Sequence, residues 1–522
     1  MNGQILEYGD HTEDRTITAD VCVVGSGCGG ATVAHLLSRQ GFRVVVLERG
    51  GYYPSARFDQ NELNMNARIT ADRAFRTSAD GGTILLCGQN VGGASVHYWA
   101  DSYRTPADRL ALWADRYGIR GHGEADLAPA WDELTTTLNV HPATDPYFNR
   151  MNWLFKAATE KLGWGGHRVP QARQNCLKSG HCMQGCTYEA KRSQLVTHLR
   201  TAVAQGADIL ADVEVDGIEH DGRRVRRLQA RVIDRPNGRP SGRRIRIEAR
   251  AYVIAAGGFN SAALLMQNGL GAGLPALGKS FAFNPSPMVH GRYDEEIELW
   301  RNIPAAWGVD HFRLARNDAA GRYVEGGYLL MPNQLQPGTL AGSLPFVGEE
   351  LGRWAQRLRQ VGSTIGWIDD DPDELGEIRI DRHGNRSVVY PFGPRTRAML
   401  RDLVRKQIEV HRAAGAREIV VSGSQALTFG ASDSLAALAS LEVTGGGLHM
   451  GAPHPAGGCV MGPDARTSVV DASHRVHGID NLFVADSSVF PTAVSVDPSF
   501  TIMAFSYVAA RHVGEALRGT PA

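Results

Sequence analysis

The chain has 522 residues, a formal net charge of zero, 43% hydrophobic residues and 21% charged residues. At about 150 residues per domain, this length predicts several globular domains. Balanced charge argues against a nucleic-acid-binding protein, which would carry a basic excess, and no apolar run reaches the length of a membrane span. Because residues 1–20 are polar and lack the apolar segment of a signal peptide, we expect a cytoplasmic protein.

The first predicted elements surround a glycine-rich turn. An apolar run over 20–30 ends in this turn, and an amphipathic segment and a second apolar run, which ends on Glu48, come next. The order strand, turn, helix, strand, acid is typical of a dinucleotide-binding fold. There Gly25 permits the tight turn, Gly27 lets backbone approach a pyrophosphate, and Gly30 lets the helix pack on the strand. Glu48 would accept hydrogen bonds from ribose hydroxyls; the alternative is a plain crossover with glycines used only for packing.

Further along the chain, helical and extended patterns alternate. Amphipathic periodicity predicts helices over 105–165, 193–205 and 501–517. Alternating residues predict strands over 207–256, with a turn at 236–242. The segment 286–439 mixes aromatic residues, prolines and short alternating runs, and it predicts a separate substrate-binding domain. Its acidic run, 369–374, predicts a solvated loop.

Three of the seven cysteines lie close together in sequence, at Cys176, Cys182 and Cys186. Three thiolates on one loop can ligate a soft metal or an iron–sulfur cluster. Zinc completed by His181 or by a remote ligand is one alternative. Thiols without metal, or a disulfide, are the other.

Several blocks occur in a specific order over most of the chain: 24–48, 88–99, 253–261, 454–462, and 482–491 with 498–502. Together they resemble the glucose–methanol–choline (GMC) family of flavoprotein oxidoreductases. The resemblance implies an α/β fold class: a Rossmann-like FAD-binding domain built from discontinuous segments, plus a substrate-binding domain with a mostly antiparallel sheet and helices. It also implies FAD rather than NAD as the dinucleotide.

The domain boundaries that we expect follow from these blocks. The FAD-binding domain comprises 1–105, 190–285 and 440–522. A helical insertion with the cysteine cluster occupies 106–189, and the substrate-binding domain occupies 286–439.

The resemblance implies that His454 faces the flavin and removes the hydroxyl proton of an alcohol while a hydride goes to flavin N5. Imidazole suits this role because it titrates near neutral pH. Asp497 stands where the family normally has His or Asn. It would donate as a protonated acid, pair with His454, or bind a cationic or polyol substrate; the alternative is a cap on the closing helix after Pro498.

The resemblance also places several other residues beside the cofactor: Gly92, Gly93, Ser95, His97, Asp486 and Pro498. In some family members a histidine at the position of His97 is bonded covalently to the flavin. Hydrogen bonding to the flavin and structural packing are the alternatives.

The cysteine spacing resembles the [3Fe-4S] cluster of bacterial FAD sugar dehydrogenases, and the region 291–300 resembles the long-chain alcohol oxidase branch. We therefore expect FAD-dependent oxidation of a small-molecule alcohol (a sugar, an aminosugar or another hydroxylated metabolite). Electrons would pass through the cluster to an external acceptor protein. The alternatives are an oxygen-using oxidase that produces hydrogen peroxide and a non-redox lyase on the same fold.

Overall fold

A computed structural model describes residues 2–519. Two sheets organise this part of the chain, one of eight strands and one of seven. Within the described residues, no helix combines the length and apolarity needed to cross a membrane.

The eight-stranded sheet is assembled from segments that are far apart in sequence. From one edge to the other its strands are Ile5–Leu6, Asp208–Leu210, Val44–Leu47, Arg15–Val24, Arg239–Ile254, Val225–Asp234 and Val213–His220, and Leu482–Val484 also pairs with Arg239–Ile254. The first five strands, from Ile5–Leu6 to Arg239–Ile254, pair in parallel with their neighbours, and so does Leu482–Val484 with Arg239–Ile254. Val225–Asp234 pairs antiparallel with both Arg239–Ile254 and Val213–His220. Such an order requires helical crossovers on the faces of the sheet.

The central parallel strands are apolar and buried toward their carboxyl ends, where both faces of this sheet are covered. Every residue of Val44–Leu47 is buried. Helix Cys28–Arg39 covers one face and packs against Ser499–Gly519 and His198–Ala204. The first and last helices of the chain are thus neighbours.

The seven-stranded sheet is mostly antiparallel. Its strands are Tyr328–Pro332, Val361–Ile368, Ser286–Arg292, Glu418–Val421 and Leu427–Phe429, with Met450–Ala452 pairing to Ser286–Arg292 and to Thr83–Leu85. The last of these pairings is parallel. Short two-stranded pairs complete the strands: Val140–Pro142 with Pro170–Ala172, His167–Arg168 with Trp307–Gly308, Arg316–Asn317 with Tyr323–Glu325, and Glu377–Ile380 with Arg386–Val389.

The helices largely follow the predicted segments. The α-helices are Cys28–Arg39, Glu62–Ile69, Ala107–Tyr117, Glu124–Thr137, Arg150–Lys161, His198–Ala204, Gly258–Gln267, Pro337–Ser343, Gly348–Ala355, Pro394–Ala413 and Ser499–Gly519. Local signals fix several ends: Asn149 accepts a hydrogen bond from the Asn152 amide as an N-cap. Gly118, at φ 68°, ends the helix Ala107–Tyr117 in the left-handed conformation.

Two local predictions were wrong in detail. The turn predicted at 236–242 is shorter, because the next strand already begins at Arg239, which pairs with Asp234. The helix predicted over 193–205 is interrupted at Thr197, whose φ of −119° and ψ of −99° separate a short 3-10 turn from His198–Ala204.

The acidic run 369–374 is not wholly solvated, contrary to the prediction. Asp370 is 1% exposed, and it accepts hydrogen bonds from the Phe283 amide (3.0 Å), the Asn284 amide (2.8 Å) and the Tyr390 hydroxyl (2.6 Å). Burial raises the pKa of this carboxyl to about 6. A composition-based prediction fails here because the buried amides provide the hydrogen bonds that compensate desolvation.

Close backbone contact at Gly29 gives a stability prediction. An ideal Cβ at this position would lie 1.8 Å from the Ala485 carbonyl oxygen. We expect Gly29→Ala to lower the free energy of unfolding by about 1–3 kcal/mol through overpacking, measured by urea denaturation. The matched control is Gly352→Ala, in helix Gly348–Ala355, where a Cβ meets nothing within 4 Å. Equal stability of the two variants would contradict the prediction.

Candidate active site

An elongated cavity of about 490 Å³ begins at the carboxyl ends of the parallel strands and reaches the seven-stranded sheet. The predicted residues that line it are Gly25, Gly27, Glu48, Gly93, Ser95, His97, His454, Asp486, Asp497 and Pro498. Gly30 and Gly92 lie behind this wall, where they shape the backbone. Ligands of open parallel sheets bind at this edge.

The first glycine-rich turn has the geometry of a phosphate cradle. Gly25 has φ 99°, and a Cβ on Gly30 would lie 2.0 Å from the Gly25 carbonyl oxygen. At Gly27, by contrast, the nearest atom to a Cβ is Gly93 Cα at 4.0 Å. The space in front of Gly27 and the free amides of the helix that begins at Cys28 fit an anionic group.

Glu48 holds this turn in place through hydrogen bonds of its side chain. Its carboxylate accepts hydrogen bonds from the Ser26 amide (3.0 Å), the Ser26 hydroxyl (2.7 Å) and the Gly50 amide (2.8 Å). Burial raises the pKa of Glu48, while these hydrogen bonds oppose the rise. A carboxylate has about four lone-pair sites, so capacity remains for a ribose hydroxyl.

The second glycine-rich loop packs on the first. Gly92 and Gly93 have φ of 104° and 56°, and a Cβ on Gly93 would lie 2.7 Å from Gly27 Cα. Ser95 donates to the Gly92 carbonyl (2.6 Å) and accepts from the Gln194 amide (2.9 Å). Ser95 thus holds this loop both to itself and to the segment at Gln194.

His97 lies in this loop and is 6% exposed. Burial, and to a lesser degree the charge of Lys191, lower its pKa to about 4. Its Nε2 is buried and has no hydrogen-bond partner among residues 2–519. A buried polar atom without a partner beside a cavity fits contact with a bound cofactor.

Lys191 was not singled out by the sequence analysis, yet it holds the same loop. Its ammonium donates to the carbonyls of Val96 (2.6 Å), Tyr98 (3.0 Å) and Cys182 (2.5 Å). Burial lowers the pKa of Lys191 to about 8. Lysines are rarely fully buried without such partners, and no local sequence pattern indicated this one.

Asp486 joins two segments at the sheet edge. It accepts hydrogen bonds from the Gly257 amide (2.8 Å), the Ser261 hydroxyl (2.5 Å) and the Ser488 amide (2.8 Å). Burial raises its pKa, and the hydrogen bonds work against that effect. Asp486 thus ties the end of Leu482–Val484 to the start of helix Gly258–Gln267.

His454 and Asp497 meet at the far end of the cavity. His454 Nε2 lies 3.3 Å from Asp497 Oδ1, and their side chains are 11% and 14% exposed. The Trp367 ring meets the imidazole edge to face at 5.2 Å. Helix Ser499–Gly519 begins two residues after Asp497. The Asp497 carboxylate faces the His454 imidazole and does not cap this helix.

A second carboxyl, which sequence reasoning missed, also lines this end. Asp101 is 1% exposed and accepts a hydrogen bond from Gln171 Nε2 at 2.7 Å. Burial, and then the charge of Asp497, raise its pKa well above the usual value. An acid in a loop after two aromatic residues carries no local signal of this burial.

The three cysteines lie in a separate, smaller cavity of about 10 Å³. That volume holds about one water molecule. The guanidinium of Arg173, itself 2% exposed, donates from Nη1 to Cys182 Sγ at 3.5 Å. Within the described part of the chain, no group of three or more His, Cys, Asp or Glu residues is placed to hold a metal. Cys176, Cys182 and Cys186 as arranged do not fit the expected [3Fe-4S] cluster.

Comparisons with known proteins identify the family. Family models described as "GMC oxidoreductase" match residues 19–286 and 372–506. An uncharacterized GMC-type oxidoreductase of Mycobacterium tuberculosis is 30% identical, with 94% of this chain and 75% of that protein covered. A long-chain-alcohol oxidase of Arabidopsis thaliana is 28% identical, with 96% and 68% covered.

The fold agrees with these matches. The crystal structure of a pyridoxine 4-oxidase from Mesorbium loti superimposes with a TM-score of 0.70 at 19% identity, covering 95% of this chain and 99% of that one. The chain belongs to the GMC oxidoreductase family and is an FAD-dependent oxidoreductase. The predicted family, fold class and FAD cofactor are confirmed.

The open cradle at Gly27 and the unpartnered His97 Nε2 fit FAD, and Glu48 gives a test. We expect Glu48→Gln to weaken FAD binding about tenfold or more, because an amide nitrogen cannot accept from Ser26 and Gly50 as the carboxylate does. Titration of apoprotein with FAD, followed by flavin fluorescence, measures the Kd. The control is Glu133→Gln, whose side chain is 39% exposed. Unchanged affinity in Glu48→Gln would refute the assignment.

Proposed function

We propose that this enzyme oxidises the CH–OH group of an alcohol to a carbonyl. The observation that carries the proposal is the His454–Asp497 pair, with Nε2 and Oδ1 3.3 Å apart in the cavity wall. An imidazole beside a carboxylate can take up and hold a hydroxyl proton. Relatives named as long-chain-alcohol oxidases and a cholesterol oxidase support the same reaction.

The chain's residues account for the proton side of the reaction. His454 takes the hydroxyl proton at Nε2, and the Asp497 carboxylate stabilises the imidazolium that forms. Trp367 against the ring keeps its orientation. FAD, when bound, supplies a two-electron acceptor for the hydride that leaves the carbon. The alcohol thereby loses one proton and one hydride and becomes an aldehyde or ketone.

The glycine loops and Glu48 would hold the adenosine and pyrophosphate part of FAD. Gly93, Ser95, His97, Asp486 and Pro498 would lie along the rest of the cofactor, as the resemblance implies.

Polar side chains in the cavity wall support a hydroxyl-rich or amine-bearing substrate. They include Asp101, Asn333, Gln334 and His449, beside apolar Met288 and Ile365. We therefore propose a sugar, an aminosugar or another hydroxylated metabolite over a plain alkanol.

His454 gives the direct test of this proposal. We expect His454→Ala to slow reduction of bound flavin by an active alcohol about 10²–10⁴-fold, because the general base is lost. Anaerobic stopped-flow absorbance with a panel of sugars, aminosugars and alkanols measures the rate. His383→Ala, at an exposed loop position, is the control. Wild-type rates in His454→Ala would exclude the role, and wild-type enzyme that no alcohol reduces would favour the lyase reaction.

For the electron acceptor we propose dioxygen, with hydrogen peroxide as the product. The names of the relatives support an oxidase, and the tight packing of Arg173 against Cys182 argues against a route through a cluster. An external acceptor protein is the competing hypothesis.

Metal analysis and a peroxide assay decide between these acceptors. We expect purified enzyme to lack stoichiometric iron and acid-labile sulfide, and to form peroxide in amounts equal to the alcohol oxidised in air. Cys182→Ser should keep this activity, because no electron passes through the thiols. Stoichiometric iron with sulfide, or turnover that needs an artificial acceptor, would contradict the proposal.

A further inference from the structure

Ser495 lies two residues before Asp497, and its hydroxyl makes a complete set of hydrogen bonds. It donates to Asp369 Oδ2 at 2.5 Å and accepts from Arg109 Nε at 3.0 Å and from Arg109 Nη2 at 2.7 Å. A hydroxyl has one donor site and two acceptor sites, so all of them are used. Arg109 and Asp369 also form an ion pair with each other, and their side chains are 9% and 13% exposed.

We propose that Ser495, Asp369 and Arg109 are positioning residues that hold the Asp497 carboxylate against His454. The three residues are called the Ser495 clamp below. They lie outside the lining of the cavity, so the clamp acts through Asp497 and not on the alcohol. The proposal deepens the proposed function and rests on it, because it assigns the orientation of the same catalytic pair.

The backbone at Ser495 shows what the clamp has to impose. Ser495 has φ 64°, in the left-handed region, where a residue other than glycine stays only if its surroundings hold it there. The hydrogen bonds at its hydroxyl act on this residue directly and stabilise the turn. Because the turn sets the direction in which the chain enters Asp497, the clamp also sets the direction of that carboxylate.

Helix Ala107–Tyr117 gives the same segment a second anchor. Arg109 Nη1 donates to Thr492 Oγ1 at 3.1 Å, and Trp113 Nε1 donates to the same oxygen at 2.8 Å. Arg109 therefore binds the segment before Asp497 at two hydroxyl groups, three residues apart. Two contacts from one planar guanidinium restrict rotation of the segment as well as its distance from the helix.

Asp369 connects the clamp to His454 by a second route. It directly follows strand Val361–Ile368, and Trp367 of this strand packs edge to face on the His454 ring at 5.2 Å. The end of one strand thus orients the imidazole and also holds the segment that carries the carboxylate. The contacts form a closed circuit, which runs through Asp497, His454, Trp367, Asp369 and Ser495.

The charges in the clamp decide which member is the best one to change. Burial raises the pKa of Asp369, and the charge of Arg109 and the hydrogen bond from Ser495 oppose this rise. Removal of one partner from a buried ion pair leaves the other charge unpaired and is strongly destabilising. A change at Ser495 keeps the ion pair, so it separates loss of positioning from a general loss of stability.

The first experiment replaces Ser495 by alanine in the FAD-loaded enzyme. We expect Ser495→Ala to lower the limiting rate of anaerobic flavin reduction by an active alcohol about tenfold or more, because a misplaced carboxylate stabilises the imidazolium less well. The alcohol concentration that gives half of this rate should change little, since the clamp lies outside the cavity lining.

Ser280→Ala is the matched control for this experiment. Ser280 has a similar φ of 55° and also lies outside the cavity lining, so the control contains alanine in the same backbone conformation. We expect it to reduce flavin at the wild-type rate. A wild-type rate in Ser495→Ala, or an effect confined to the half-saturating alcohol concentration, would overturn the proposal.

The second experiment asks whether the clamp acts through Asp497. We expect Ser495→Ala to slow flavin reduction no further in an Asp497→Ala background, because the carboxylate that it positions is gone. A merely structural role would slow the Asp497→Ala enzyme by the same factor as wild type. Multiplied effects would therefore overturn the positioning role, whereas a wild-type rate in His454→Ala would refute the proposed function itself.

A rescue comparison at Asp369 keeps the test decisive where Ser495→Ala yields no folded protein. Asp369→Asn retains an oxygen that can accept from Ser495 and Arg109, whereas Asp369→Ala retains none. We expect Asp369→Asn to reduce flavin faster than Asp369→Ala, with both rates expressed per bound FAD from the visible absorbance. Equal rates in the two variants would overturn the proposal.

Discussion

Three segments from distant parts of the chain meet backbone to backbone at the carboxyl edge of the eight-stranded sheet, and the cavity depends on this contact. Side chains are excluded there, since a Cβ on Gly25 would lie 2.3 Å from the Ala255 carbonyl oxygen and one on Gly29 would lie 1.8 Å from that of Ala485. The same closeness brings Asp486 against the amide of Gly257. These glycines lack side chains, and this allows the separate segments to pack against one another at the sheet edge.

Charge is distributed unevenly along the cavity that results. Arg49, Arg76 and Arg386 line the cavity. Burial lowers the pKa of Arg386, Glu214 opposes this, and the charges of Arg49 and Arg76 add to the lowering. The opposite end carries two acids and an imidazole. Arginines therefore occur beside Glu48 and Glu214 at the end that the glycine turns suit to a pyrophosphate, whereas no arginine is needed to pair Asp497, which faces His454 at the other end.

The sequence predicts those features that depend on local pattern or on backbone that only glycine allows. The strand–turn–helix around Gly27 is of this kind, and so is the proximity of His454 to Asp497 once the family is recognised. Asp101 could not be found in this way, because its burial is created by Gln171 and Ser499, which are distant in sequence. Cysteine spacing suggested a cluster, but it carries no information about Arg173, which folds in against Cys182.

Strand Met450–Ala452 has partners on both sides: Ser286–Arg292 of the substrate-side sheet and Thr83–Leu85, which precedes the second glycine-rich loop. His454 follows this strand by two residues. His454, the proposed base, therefore follows a strand that pairs both with the sheet of the pocket wall and with the segment before the second glycine-rich loop. If His454 is the base, side chains on the neighbouring strands of the pocket wall can be exchanged to change which substrate fits without moving the strand that precedes His454.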